Sequence, residues 1–200
     1  MGQHLKLGLA LGGGVARGLA HIGVLKVIKQ AGISIDYIAG TSMGSLVASL
    51  YACGLNLELI EQLAQRISRR VWMDFTLPRM GLIAGDRLEQ LVSLLTKKRL
   101  IEELPLPLAI VATNLNTGKR AILRSGPVAK AVRASCAIPG IFRPVDIGGK
   151  LMVDGGVLER VPVPAAREMG AEIVIAVDVG VYEEEYKISN MLDVVFATIE

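Results

Sequence analysis

The chain has 200 residues, 52% of them hydrophobic and 20% charged, a balance that suits one α/β or similar domain with a sizeable core and excludes intrinsic disorder and collagen-like repeats. A formal charge of +3, evenly spread, together with 4% aromatic residues, excludes a nucleic-acid footprint. Cys53 and Cys136 with His4 and His21 give no zinc-ligand spacing, so buried free thiols in a reducing cytosol are expected, with no metal or organic cofactor.

In chain order, Leu5 to Leu11 reads as a short apolar strand that enters the glycine turn Gly12-Gly13-Gly14. Lys6 ahead of an apolar run mimics a secretory signal, but the glycine triplet in its middle suits a strand and turn better. Lys6 also removes the Ser/Thr of a myristoylation signal. A helix is expected from Gly18 to Gln30, with Gly32 just past its end, followed by a strand over Ile33 to Ala39. The turn Gly40 to Gly44 feeds a helix to Cys53. The 21 uncharged residues from Tyr37 to Leu57 are long enough to cross a bilayer. Their serines, threonine and glycines favour a buried strand, turn and helix, and no transmembrane segment is predicted.

Helices follow over Glu58 to Val71 and Asp86 to Thr96, the second carrying the apolar stripe Leu88, Leu91, Val92 and Leu95. Leu106 to Asn114 is a buried strand, with Lys119 to Arg124 as its neighbour. Val145 to Ile147 and Lys150 to Val153 flank Gly148-Gly149, a two-residue hairpin signal. A short helix over Pro164 to Met169 precedes a last strand over Glu172 to Val179. Strands alternating with helices predict an α/β domain with a mainly parallel sheet. Residues 1–200 read as a single domain, and Met191 to Ile199 has a helical pattern without a cap, which suits either a chain end or a truncation near 181–200.

Gly40-Thr41-Ser42-Met43-Gly44 fits G-x-S-x-G between a strand and a helix. There the glycines permit a strained turn, and the serine hydroxyl sits at a helix N-terminus that favours developing negative charge. A serine cap in a glycine turn is the plain alternative. The turn Gly12-Gly13-Gly14-Val15-Ala16-Arg17-Gly18 exposes backbone amides suited to a phosphate or an oxyanion. It fits neither G-x-G-x-x-G nor a P-loop, because Leu19 and Ala20 stand where Lys and Ser/Thr belong.

A nucleophilic serine needs a base, and no histidine follows Ser42. The α/β-hydrolase order of serine, acid and histidine is therefore excluded. His21 reads as a partly buried packing residue, so a carboxylate or lysine would have to activate Ser42. The best carboxylate is Asp154 in Val153-Asp154-Gly155-Gly156, at a hairpin strand end; as a weak base it needs a partly desolvated site. Asp-Gly-Gly alone is simply a turn.

In this order the blocks Leu9 to Gly14, Arg17-Gly18, Gly40 to Gly44, Ala134-Ser135-Cys136-Ala137-Ile138-Pro139-Gly140-Ile141-Phe142-Arg143-Pro144 and Asp154-Gly155-Gly156 resemble the patatin-like phospholipase family. The resemblance runs from Leu7 to about Val181. It implies a three-layer αβα fold and a serine acyl hydrolase of phospholipase, lysophospholipase or esterase type. It maps the nucleophile onto Ser42, the base onto Asp154 and the oxyanion amides onto Gly13, Gly14 and Val15, with Arg17, Gly18, Gly40, Gly44, Gly155 and Gly156 as supporting positions. Two departures stand out: Val15 replaces the family's usual glycine, and Arg160 replaces a small polar residue before Val161-Pro162. A β-branched residue resists positive φ, which bears directly on the Val15 amide.

The implied partner is a lipid or acyl ester, from a cytoplasmic site with peripheral contact to a membrane. Arg66, Arg69 and Arg70 before Trp72, Met73 and Phe75, with Lys97, Lys98 and Arg99, form a basic and aromatic set that suits such a surface; a solvated helix end is the plain alternative. The alternative function is a non-catalytic lipid- or protein-binding regulator that keeps the fold.

Overall fold

A computed structural model describes residues 5–66, 74 and 81–180. Within them the strands are β1 (Leu7–Leu11), β2 (Tyr37–Thr41), β3 (Leu108–Asn114), β4 (Lys119–Leu123), β5 (Val145–Ile147), β6 (Lys150–Asp154) and β7 (Ile173–Val177). The helices are α1 (His21–Gln30), α2 (Met43–Ala52), α3 (Leu57–Arg66), α4 (Asp86–Leu95), α5 (Val128–Ser135) and α6 (Val163–Glu168). The strands form one sheet in the order β5-β6-β3-β2-β1-β7, with β4 against the other edge of β3. Its centre, β3-β2-β1-β7, is parallel, and the β4, β5 and β6 pairings are antiparallel.

Helices cover both faces, which makes three layers. On one face α1 buries His21, Ile22, Leu25 and Ile28, and joins residues of α2, α3, α4 and α5 in the main core. On the other, Ala165 and Ala166 of α6 pack against Ala39, Ala109 and Val111. With cover on both sides every residue of β3 is buried, so the strand reads as a continuous apolar run with no alternation.

The uncharged stretch from Tyr37 to Leu57 becomes β2 and α2, a helix buried along most of its length. Its serines need no water, since Ser45 and Ser49 donate to the carbonyls of Ser42 and Ser45, both at 2.6 Å. Among the described residues no helix is long and apolar enough to cross a membrane.

Several boundaries differ from expectation. The stretch 33–36 is a connection, because the Asp36 carboxylate accepts from the Leu7 amide at 2.9 Å and from Lys6 Nζ at 2.8 Å, fastening the turn to the start of β1. The first helix begins as a 3-10 turn, Val15–Ala20, before α1. Helix α5 was not foreseen: Pro127 and alternating small residues hide an amphipathic segment whose buried positions include Val128, Ala131, Val132 and Ser135. The Gly148-Gly149 hairpin forms with φ of +61° and +77°, the double left-handed turn that matches strand twist. Both cysteines are free and partly exposed as residues, although the Cys136 thiol itself points inward and is buried. His4, Arg69, Arg70, Trp72, Met73, Phe75 and Met191 to Ile199 lie outside the described residues.

Candidate functional site

Strand β3 sets the geometry of the site. Along one edge it pairs with β2 up to Thr41, opposite Val111. From Ala112 onward the same edge pairs with β6, which runs the opposite way and ends at Asp154. Because β4 takes the other edge from Ile110 to Asn114, across the junction, β2 and β6 arrive head to head, and the residues at their ends meet. Ser42 Oγ donates to Asp154 Oδ2 at 2.7 Å across 112 residues of sequence.

Ser42 occupies a one-residue elbow between β2 and α2, with φ +51° and ψ −125°. A non-glycine residue in that region costs about 1–3 kcal/mol and is kept only where its surroundings over-determine it. Here they do: the Ser42 amide donates to Ser135 Oγ at 2.8 Å, and its carbonyl accepts from Ser45 N at 2.8 Å. The flanking glycines are required by close approach. A Cβ on Gly44 would lie 2.1 Å from the Leu11 carbonyl oxygen, and one on Gly40 2.5 Å from Ser45 Cα.

Asp154 is 2% exposed and Ser42 8%. Burial is the largest influence on the Asp154 carboxyl and pushes it up to about 6; the bonds from Ser42 and from the Gly156 amide, the latter at 2.7 Å to Oδ1, pull the other way. Gly155 lets the chain turn beneath β3, where a Cβ would meet the Val111 carbonyl oxygen at 2.3 Å. The Cys136 thiol beside this pair is pushed up to about 12, first by burial and then by the Asp154 charge, and stays protonated at neutral pH.

The glycine loop closes the other side. A Cβ on Gly13 would sit 3.3 Å from Ser42 Cβ, so the loop lies against the serine. The Gly13 amide, however, donates to the Arg160 carbonyl at 2.9 Å, as Gly12 does to Val177 at 3.0 Å. With its amide engaged there, Gly13 brings open space beside the serine. Among the described residues no backbone carbonyl accepts from Gly14 or Val15. Val15 does adopt positive φ, at +47°, and its side chain packs against the cluster of Ile83, Ala137, Ile138, Ile141 and Phe142. Apolar burial thus offsets the backbone strain of a β-branched residue.

His21 is fully buried, with Nε2 2.8 Å from the Gly12 carbonyl. Burial lowers its pKa, so the neutral ring donates from Nε2 and braces the loop. Arg17 Nε donates to the Val179 carbonyl at 3.0 Å, and Gly18 packs on Met43. Arg160 pairs with Asp178 at 2.8 Å beyond β7, so this departure becomes a brace for the segment that holds Gly13. Thr41 Oγ1 donates to the neighbouring Glu159 carbonyl at 3.0 Å. Arg66 ends α3, while Lys97 and Lys98 are exposed on a left-handed turn. Among the described residues no cluster of His, Cys, Asp and Glu could hold a metal ion.

Fold and site together define an α/β domain with a strained serine elbow at the end of its parallel sheet and a buried aspartate facing it. Residues 9–167 match the family model for patatin-like phospholipase. An uncharacterised NTE family protein of Mycobacterium tuberculosis is 37% identical over 175 residues, 86% of this chain and 48% of that protein. Lysophospholipase NTE1 of Debaryomyces hansenii is 36% identical over 180 residues, 87% of this chain and 12% of that protein. The crystal structure of VipD from Legionella pneumophila matches with a TM-score of 0.67 at 16% identity, over 80% of this chain and 47% of that one, a likeness of fold. The chain belongs to the patatin-like phospholipase family, and it spans about half the length of the mycobacterial relative.

Proposed function

We propose that this chain is a serine acyl hydrolase that cleaves carboxylic ester bonds of lipids. The observation that carries the reading is the 2.7 Å bond from Ser42 Oγ to Asp154 Oδ2, made by a left-handed serine and a buried carboxylate. Asp154 accepts the hydroxyl proton as Oγ attacks the ester carbonyl, and the Gly14 and Val15 amides stabilise the oxyanion. Collapse of the tetrahedral intermediate expels the alcohol, which takes the proton back from Asp154 and leaves the acyl group on Ser42. Asp154 then deprotonates a water that attacks the acyl-enzyme, and the fatty acid leaves as Ser42 Oγ recovers its proton. A carboxylate raised to about 6 is a stronger base than an exposed one and is still ionised at neutral pH.

A lipid substrate follows from the family and from the lysophospholipase name of one relative. It goes with action at a membrane surface from the cytoplasm, with exposed Lys97 and Lys98 available to anionic headgroups. A fluorophosphonate probe is expected to modify Ser42, located by mass spectrometry of the digested protein. Absence of both the adduct and turnover on short acyl esters, with lipid binding kept, would establish a non-catalytic regulator instead.

A further inference from the structure

The nucleophile and base described above come from different ends of the chain, and one short segment at the end of α5 touches both. Ser135 is fully buried. Its Oγ accepts from the Ser42 amide at 2.8 Å and donates to the Val111 carbonyl at 2.6 Å. Two residues later the Ala137 carbonyl accepts from the Asp154 amide at 2.9 Å.

The location of these bonds matters. Val111 is where β3 stops pairing with β2, and Ala112 is where it starts pairing with β6. At that junction the left-handed turn carries the Ser42 amide out of the regular ladder, and the sheet would leave a buried donor and a buried acceptor unmatched. A hydroxyl matches both at once, since it accepts and donates through one atom. Alanine can do neither, and a buried polar group left unpaired is what native proteins avoid.

We infer that Ser135 is a positioning residue for Ser42. It holds the amide of the strained elbow so that Oγ stays directed at Asp154, while Ala137 holds the Asp154 backbone from the same strut. The spacing of the pair is thereby set by two residues, Ser135 and Ala137, at the end of α5. The kinetic part of this inference rests on the hydrolase reading; the structural part does not.

The test uses the full chain, labelled with nitrogen-15, and its Ser135→Ala and Ser135→Thr variants. In wild type the Ser42 amide is expected to be protected from hydrogen exchange. In Ser135→Ala it should exchange at least roughly tenfold faster, while the Ala39 and Gly40 amides of β2 stay within roughly threefold. On a short p-nitrophenyl ester, Ser135→Ala should lower kcat by about 10- to 100-fold with KM nearly unchanged, as a displaced nucleophile does, and Ser135→Thr should restore most of it. An unprotected Ser42 amide in wild type, or a Ser135→Ala variant with unaltered exchange and unaltered kcat, overturns the inference. Should Ser135→Ala fail to fold, Ser135→Thr decides: kept protection supports the inference and lost protection in a folded variant overturns it. If the exchange pattern holds while no form turns over ester, the hydrolase reading fails and the positioning stands.

Discussion

The molecule makes the same connection twice, strand to glycine-rich turn to helix, on adjacent parallel strands, with different results. After β2 the turn is a single residue, and both its backbone groups are bonded, the Ser42 amide to Ser135 Oγ and its carbonyl to Ser45. After β1 the turn spreads over Gly12 to Val15 and opens into a 3-10 segment before α1. There Gly12 and Gly13 are bonded to carbonyls of 177 and 160, and Gly14 and Val15 keep their amides clear of backbone acceptors among the described residues. The elbow spends its polar groups on rigidity; the loop leaves two of its donors for something else. That division suits a reaction in which one atom must be aimed and a transient charge must be received.

The sharpest break in this comparison is chemical. Ser42→Ala and Asp154→Asn are each expected to reduce ester hydrolysis by about 10²–10⁴-fold or more, read as kcat/KM on a short ester, and the double variant should lose little beyond either single one. Activity retained in either would remove the pair from the mechanism.

Next in size is a steric contrast between the two turns. Gly44→Ala puts a methyl 2.1 Å from the Leu11 carbonyl oxygen, which is backbone and cannot yield, and should cost about 3 kcal/mol in denaturant unfolding. Gly14→Ala meets the Val179 Cγ2 at 2.6 Å and the Val179 carbonyl oxygen only at 3.3 Å, so the closest clash is with a side chain and should cost less, about 1–2 kcal/mol. Equal costs would mean that the loop is as tightly held as the elbow.

The Asp154 carboxyl links activity to stability with opposite signs. Its folded value of about 6 lies above the ordinary 3.8, so the folded state keeps a proton that the unfolded chain has released. The contribution of this carboxyl to stability is therefore fullest below about pH 4 and is lost as pH rises through about 6, up to about 3 kcal/mol. Asp154→Asn has no such decline and should be the more stable form at pH 8 in thermal unfolding. Over the same window kcat/KM of wild type should rise to a plateau as the base ionises. A flat activity profile between about pH 5 and 7 would exclude Asp154 as base.

The smallest effect is expected at Val15. Val15→Gly relieves a +47° φ and gives up packing against the cluster around Ile83 and Phe142, so unfolding free energy should change by less than about 1 kcal/mol. A much larger loss would show that the apolar anchor, and not the glycines before it, holds the loop in shape.

Much of this was legible in the residues. The G-x-S-x-G block between an apolar strand and a helix marks the elbow, because only small neighbours allow so tight a turn. The absence of a histidine after Ser42 directs attention to Asp154, and the Gly148-Gly149 pair marks its hairpin. These are local signals, carried by backbone sterics within a few positions. Helix α5 was not legible, since it is only eight residues long and built mostly of small residues, too short a stretch to declare a helical face by itself. Ser135 carried no sign of its part for a different reason: its partners, Ser42 and Val111, lie 93 and 24 residues away.

The sequence by itself determined which residues could do chemistry and where the chain must turn, because glycine, proline and apolar spacing act on the nearest neighbours. Tertiary structure alone decided that β2 and β6 end against each other on one edge of β3. It also decided that Gly13 spends its amide on Arg160, and that Val15 is held left-handed by a cluster from residues 83 and 137–142. The reason is physical: hydrogen-bond pairing along a sheet edge and burial of apolar surface depend on segments far apart in the chain, and only the folded arrangement brings them into register.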